Sequence, residues 1–274
     1  MTVPRRLRRL GFGLATLLGA APRGFFIPYR HAAACRPAGY PALAPLFAAA
    51  EPRMRAVLDD IASFSGDLAR IAERGPARFD QDWFPRLDAA AAYAVVRRAR
   101  PRRIVEIGSG HSTRFLSMAV RDGDFACEIA CIDPAPRAGI AALGVRHVPK
   151  LLADAPPEIF AALEAGDVLF VDSSHVAMPG TDVDRIVLDI LPRLPSGALI
   201  HLHDVFLPDP YPPEWAWRGY NEQLLAGALL QGGGYELLFA GRYVATRRPD
   251  WLDAVASLPL PAGAFETSLW IEKR

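Results

Sequence analysis

Two short apolar runs carry acidic and imidazole side chains to their ends. Residues 168–175 read VLFVDSSH and residues 198–205 read ALIHLHDV. Side chains alternate along a strand, so His201 and His203 share one face. If the runs are neighbouring strands, Asp172, His175, His203 and Asp204 meet at one edge of a sheet. Carboxylates and imidazoles gathered there are costly unless they are paired, metal-bound or catalytic. Asp172, His203 and Asp204 can ligate a divalent cation. Alternatively His175, His203 or Asp172 removes a proton as a general base. The plain alternative is a hydrogen-bonded polar strand end, which is the better account of His201.

A second constellation lies upstream. In RIVEIGSGHSTRFLSMAV, a strand runs into Gly108-Ser109-Gly110 and a helix opens near Ser112 or Thr113, either of which can cap it. Such a turn brings free backbone N–H groups and the positive end of a helix to a ligand. The dinucleotide fingerprint would place a third glycine at position 113, which is Thr113, so a pyrophosphate site is disfavoured. Glu106 stands where a cofactor amino group can be met. Asp133 ends the next strand, where a carboxylate accepts from both hydroxyls of a ribose. Asp154, after the third, can accept from an adenine amino group. Asp133-Pro134 also reads as a plain turn, and ADAPP as a helix start.

Positioning these groups requires alternating strands and helices. β-rich runs recur at 103–107, 128–132, 145–148, 168–171 and 198–202, with helical stretches near 112–121, 157–164, 182–192 and 220–231. That alternation predicts an α/β fold with a parallel sheet covered on both faces. Residues 235–240 and 268–272 are expected to close the sheet, with no long helix between them. Upstream, apolar positions from Met54 to Ile71 predict one amphipathic helix over 51–74, and another spans 88–100. Residues 22–50 read as an irregular connector. The expected organisation is a basic segment and helical cap over 1–84, then an α/β domain over 85–274.

VEIGSGHST, CIDP, FVDSSH and LPSGALIHLHDVFLP together resemble the class I S-adenosylmethionine-dependent methyltransferases, and within them a bacterial subfamily with FIDSSH and HIHDIF-type motifs. SLWI is similar to that family's last strand, and the resemblance covers roughly residues 85–274. It implies a Rossmann-like sheet of seven strands, mostly parallel with a reversed last strand, behind an N-terminal helical extension. It also implies S-adenosyl-L-methionine as cofactor. Glu106, Gly108, Ser109 and Gly110 would lie along its methionine part, Asp133 on the ribose, Asp154 near the adenine and Asp172 close to the transferred methyl. Related metal-dependent O-methyltransferases bind magnesium through an acidic pair after the fifth strand. His203-Asp204 stands there instead, which favours a softer divalent metal or a metal-free base. The implied reaction is O-methylation of a small molecule or saccharide. The aromatic, proline-rich stretch 206–220, with Tyr211, Trp215, Trp217 and Tyr220, is a candidate acceptor lid. Two other readings fit less of the pattern: a NAD-dependent oxidoreductase on the same fold, and a non-catalytic cofactor-binding or membrane-associated interaction protein.

Composition bounds the partners. The 274 residues are 51% hydrophobic and 22% charged, with net charge +1, as in an ordinary globular chain with no global drive toward nucleic acid. The charge is nonetheless uneven. Seven arginines (Arg5, Arg6, Arg8, Arg9, Arg23, Arg30, Arg36) precede the first acidic residue, Glu51. Residues 1–21 read as a helix packed on the domain, as a basic surface helix making peripheral membrane contact, or as a signal segment ending at Gly19-Ala20-Ala21. Cys35, Cys127 and Cys131 form no CxxC pair, and no apolar run is long enough to span a bilayer, so a cytoplasmic, possibly membrane-associated location is expected.

Overall fold

The structure, a computed structural model, describes residues 5–274, with side chains from residue 7 onward. Residues 1–4 of the basic segment 1–21 lie outside the described residues. By compactness the chain divides into Met1–Pro37 and Ala38–Arg274. The first unit carries helix α1 (Arg5–Leu17).

The second unit opens with α2 (Ala44–Ala49), α3 (Glu51–Ser63), α4 (Ser65–Arg74) and α5 (Arg86–Ala99). Then β1 (Arg103–Ile107), α6 (His111–Asp122), β2 (Glu128–Ile132), β3 (Arg146–Val148), α7 (Glu158–Ala161) and β4 (Val168–Val171) alternate. They are followed by α8 (Asp182–Arg185), α9 (Leu191–Arg193), β5 (Leu199–Leu202), α10 (Glu222–Gln231), β6 (Tyr235–Ala240), α11 (Gly241–Arg247) and β7 (Leu269–Lys273).

Among the described residues the sheet has seven strands in the order β3-β2-β1-β4-β5-β7-β6. β1 to β5 pair in parallel, and β7 runs antiparallel to both β5 and β6. This is the mostly parallel sheet with a reversed last strand that the resemblance implies. β1 and β4 are central and covered on both faces, which is why β4 reads as an unbroken apolar run with all four residues buried. The strand order turns outward on either side of the β1–β4 pair, and ligand crevices form at the carboxyl ends of strands there.

Four local expectations need correction. The helix over 51–74 breaks at Phe64 (φ −102°, ψ 13°), where the ring packs edge-on against Tyr93 and Ser65-Gly66 follow as weak helix formers. The connector 22–50 contains α2, with Pro45 in its first turn. The helix near 157–164 is one turn, and that near 182–192 is interrupted by a π turn at Ile186–Ile190. Apart from these four, the helical cap keeps its place before the sheet, and its Phe47, Met54, Ile61, Leu68 and Ile71 are buried in the same core as Val96 and Leu169.

Candidate active site

The turn after β1 permits only glycine at its first position. Gly108 has φ +80°, and a Cβ there would lie 1.9 Å from the Asp172 carbonyl oxygen. The backbone can therefore turn hard against the end of β4. Asp133, at the end of β2, grips the turn from the other side. Its Oδ2 accepts from the Ser109 N–H (2.7 Å) and hydroxyl (3.2 Å), and its Oδ1 from the Ala135 N–H (2.7 Å). Between them lies a cleft of about 250 Å³, lined among others by Gly108, Ser109, Asp133, Lys150, Asp172 and Ser173. The Ser173 hydroxyl is buried without a partner. A larger cavity of about 340 Å³ beside Met118, Ile129 and Leu143 lies away from the strand ends and holds none of these groups.

Three expected cofactor contacts, Glu106, Gly110 and Asp154, are not among the residues lining the cleft. Glu106 is fully buried, and its carboxyl oxygens accept from Ser112 (2.6 Å), Thr113 (2.6 Å) and the Cys131 thiol (3.3 Å). It ties β1 to β2 and to the first turn of α6 instead of facing a ligand. The hydroxyls of Ser112 and Thr113 are correspondingly not N-caps. The helix starts at His111, and the Thr113 hydroxyl accepts from the Gly110 N–H (2.9 Å). Asp154 ends a tight turn (Leu152–Asp154) and is exposed; from that segment Leu151 and Leu152 line the cleft, together with Lys150.

Burial pushes Glu106 up to about 7 against the pull of its hydroxyl donors. The unfolded chain releases this proton near the ordinary carboxyl value of 4.5, the folded chain near 7. Between the two the folded state holds more protons, so this group makes stability fall as pH rises, levelling off above 7. The amplitude is on the order of 3 kcal/mol. In Glu106→Gln this component is expected to vanish. Urea unfolding of both proteins from about pH 5 to pH 8 checks it; parallel profiles would refute the assignment.

Around Asp172, six titratable groups from four segments converge. Asp172 follows β4, His175 lies three residues on, His203 and Asp204 follow β5, Asp88 comes from α5 and Glu222 from α10. His175 bonds Glu222 Oε2 through Nδ1 (2.9 Å) and Asp172 Oδ1 through Nε2 (3.2 Å). His203 faces Asp88 Oδ2 through Nε2 (3.3 Å), and its Nδ1 stands 3.5 Å from Asp172 Oδ1 and 3.6 Å from Asp204 Oδ1. Each ring thus has carboxylates at both nitrogens, which favours the doubly protonated cation. Burial alone would lower both histidines. Bonds to Asp172 and Glu222 instead hold His175 well above its usual range, and the charges of Asp204 and Asp172 do the same for His203. Burial would raise Asp172, but the His203 charge and the His175 bond hold it well below the usual carboxylate range. His175 and Asp204 sit at φ +58° and +57°, backbone strain of the kind that clusters at functional sites.

His201 is separate in role. It is fully buried, stacks on Phe170 at 3.8 Å and bonds the Ser268 hydroxyl (2.8 Å), and burial keeps it neutral, as the plain reading expects.

Asp172, His203 and Asp204 do meet, but the imidazole stands between the two carboxylates as their countercharge. Among the described residues no group of three His, Cys, Asp or Glu is arranged to hold a metal ion. As arranged, the donor set does not fit one.

Asp88 lies outside every motif read from the sequence. Asp88 is the lone carboxylate in LDAAAAYAVV, an otherwise apolar buried helix face, and that isolation was its available signal. It also accepts from the Thr267 and Ser268 N–H groups (both 2.9 Å), fastening α5 to the chain entering β7. Glu222 opens α10 within Tyr220-Asn221-Glu222-Gln223, a polar helix start that reads from the sequence as a further group facing the site.

Residues 105–205 match the family model Methyltransf_24, described as a methyltransferase domain. The match runs from β1 to the end of β5 and contains Gly108, Asp133, Asp172, His175, His203 and Asp204, while Asp88 and Glu222 lie outside it. No curated protein matches the chain. Among solved structures, a methyltransferase from Podospora anserina bound to SAH is similar at 19% identity and TM-score 0.41, over 92% of this chain and 99% of that one. An O-methyltransferase from Bacillus cereus in complex with SAH is similar at 13% identity and TM-score 0.44, over 80% and 91%. A branched-chain polyamine synthase from Thermus thermophilus is similar at 15% identity and TM-score 0.43, over 77% and 64%. Likenesses this loose carry no argument about activity.

Proposed function

We propose that this protein is an S-adenosylmethionine-dependent methyltransferase acting on an oxygen of a small molecule or saccharide. The observation that carries the reading is Asp172, held ionised by two imidazoles at the edge of the cleft that Gly108, Ser109 and Asp133 enclose. The cleft fits such a cofactor: Asp133 keeps one lone pair, on Oδ1, free for a ribose hydroxyl, and the Ser173 hydroxyl awaits a partner.

When bound, S-adenosylmethionine supplies a methyl carbon already activated by its sulfonium, so the protein's task is alignment and proton removal. Of the three candidate catalytic residues, Asp172 alone lines the cleft; its side chain is 22% exposed, against 2% for His175 and 4% for His203. Asp172 therefore accepts the hydrogen bond of the acceptor hydroxyl, orients its lone pair and takes its proton as the new C–O bond forms. His175 and His203, their nitrogens turned to carboxylates, are positioning residues: they fix the carboxylate's direction and keep it ionised. Glu222 and Asp88 in turn fix the two rings.

The acceptor reading is supported by aromatic groups beside this cluster. Tyr220 packs against His175 (4.6 Å between ring centroids), Trp215 against Phe206 (5.0 Å), and the Arg218 guanidinium lies 3.8 Å from the Trp215 ring centre. Flat apolar faces of this kind suit a sugar or an aromatic ring.

Calorimetric titration tests the cofactor. Micromolar binding of S-adenosylmethionine is expected, weakened at least about tenfold in Asp133→Ala, because each charge-assisted hydrogen bond lost is worth roughly 1.5–3 kcal/mol. No binding, or tighter binding of NAD in the same cell, would overturn the reading. Release of S-adenosylhomocysteine with hydroxylated small molecules and saccharides, compared with amines and thiols, tests the acceptor.

A further inference from the structure

We propose that residues 5–29 form an in-plane anchor that binds the surface of an anionic lipid bilayer. Leu7, Leu10, Leu14 and Leu17 recur along α1 at spacings of three and four, which aligns them on one helix face. They are between 48% and 60% exposed, and Leu18 beside them is 78% exposed. Arg8 and Arg9 lie on the opposite side of the helix, with Arg8 over the Phe12 ring.

The chain then reverses at Gly19 (φ +69°), and the Arg23 N–H donates to the Thr16 hydroxyl (2.9 Å). Thr16 is on the arginine side of α1, so the returning segment is fastened there and leaves the leucine row uncovered. That segment adds Phe25, Phe26, Ile27 and Tyr29, each at least 58% exposed. Ten of the 16 large apolar side chains exposed among the described residues fall within these first 29 positions, a concentration that scattered surface residues do not produce.

Charge selects the occupant. Seven arginines and no acidic residue occur before Glu51. A helix with leucines on one face and arginines on the other lies in a membrane interface, its apolar side among acyl chains and its cations at anionic headgroups. A second copy paired through the leucine row would leave the arginines without a countercharge. A nucleic acid would take the arginines and leave the leucines in water. No helix among the described residues is long and apolar enough to cross a membrane, so the contact is peripheral.

Sedimentation of the full chain with vesicles of phosphatidylcholine alone, or with about 30% phosphatidylglycerol, tests the proposal. At least about tenfold stronger partitioning onto the anionic vesicles is expected, lost in roughly 0.5 M salt. Leu10→Glu/Leu14→Glu and Arg8→Glu/Arg9→Glu are each expected to weaken it at least about tenfold. The unfolding temperature and S-adenosylmethionine titration are expected to stay unchanged, since both pairs belong to the first unit and the cleft is lined by residues of the second. Equal partitioning onto neutral vesicles, or unchanged binding by either variant, overturns the proposal. So do a dimer that the leucine variant dissociates, a drop in unfolding temperature in that variant (the leucines then cover this chain's own second unit), or tight binding to a DNA duplex without vesicle binding.

Discussion

Asp172→Asn is expected to lower the rate of methyl transfer by about 10²–10⁴-fold, while S-adenosylmethionine affinity stays within about threefold. An amide keeps the size of the side chain and its oxygen can still accept a hydrogen bond. It cannot take a proton, and it removes the negative charge toward which His175 Nε2 and His203 Nδ1 both point. The cations remain partly compensated by Glu222, Asp88 and Asp204, so the fold is expected to survive. Single-turnover kinetics with a working acceptor, beside a binding titration, separates the steps. A rate within about threefold of the parent would remove Asp172 from the chemistry. A parallel loss of affinity would make it a cofactor-holding residue instead.

Gly108→Ala is expected to have the largest effect on stability and cofactor binding together. The added methyl would need the volume of the Asp172 carbonyl oxygen, 1.9 Å away, at a backbone angle of φ +80°. Relief requires the ends of β1 and β4 to separate by more than an ångström, which breaks the Asp172 N–H bond to the Ile107 carbonyl (2.9 Å). A loss of about 3 kcal/mol or more in urea unfolding is expected, with affinity for S-adenosylmethionine falling at least about 100-fold. Gly139→Ala is the control, since its Cβ meets nothing within 4 Å. Equal effects of the two substitutions would show that the close approach at Gly108 is unimportant.

Much of this site was legible because it depends on strand ends. A buried parallel strand has to be apolar throughout, so the first polar residue after each run marks the edge where ligands bind. Asp133, Asp172, His203 and Asp204 stand at such marks. Glu106 broke the rule from inside a strand. A carboxylate within RIVEI reads as a ligand contact, and its actual partners, Ser112, Thr113 and Cys131, are visible only once α6 and β2 are packed against β1.

The sequence by itself determined the alternation of strands and helices, the glycine turn, the uneven charge and the placing of Asp172 and His203 at strand ends, because each follows from periodicity or from a residue type with few conformational options. Tertiary structure alone decided which groups do what. Asp88 and Glu222 reach the two imidazoles from helices distant in sequence, and that pairing makes the histidines cations and leaves Asp172 as the group facing the cleft. Protonation in a buried cluster depends on distances of a few ångströms between carboxylates and rings, and local spacing carries no record of distances between separate elements.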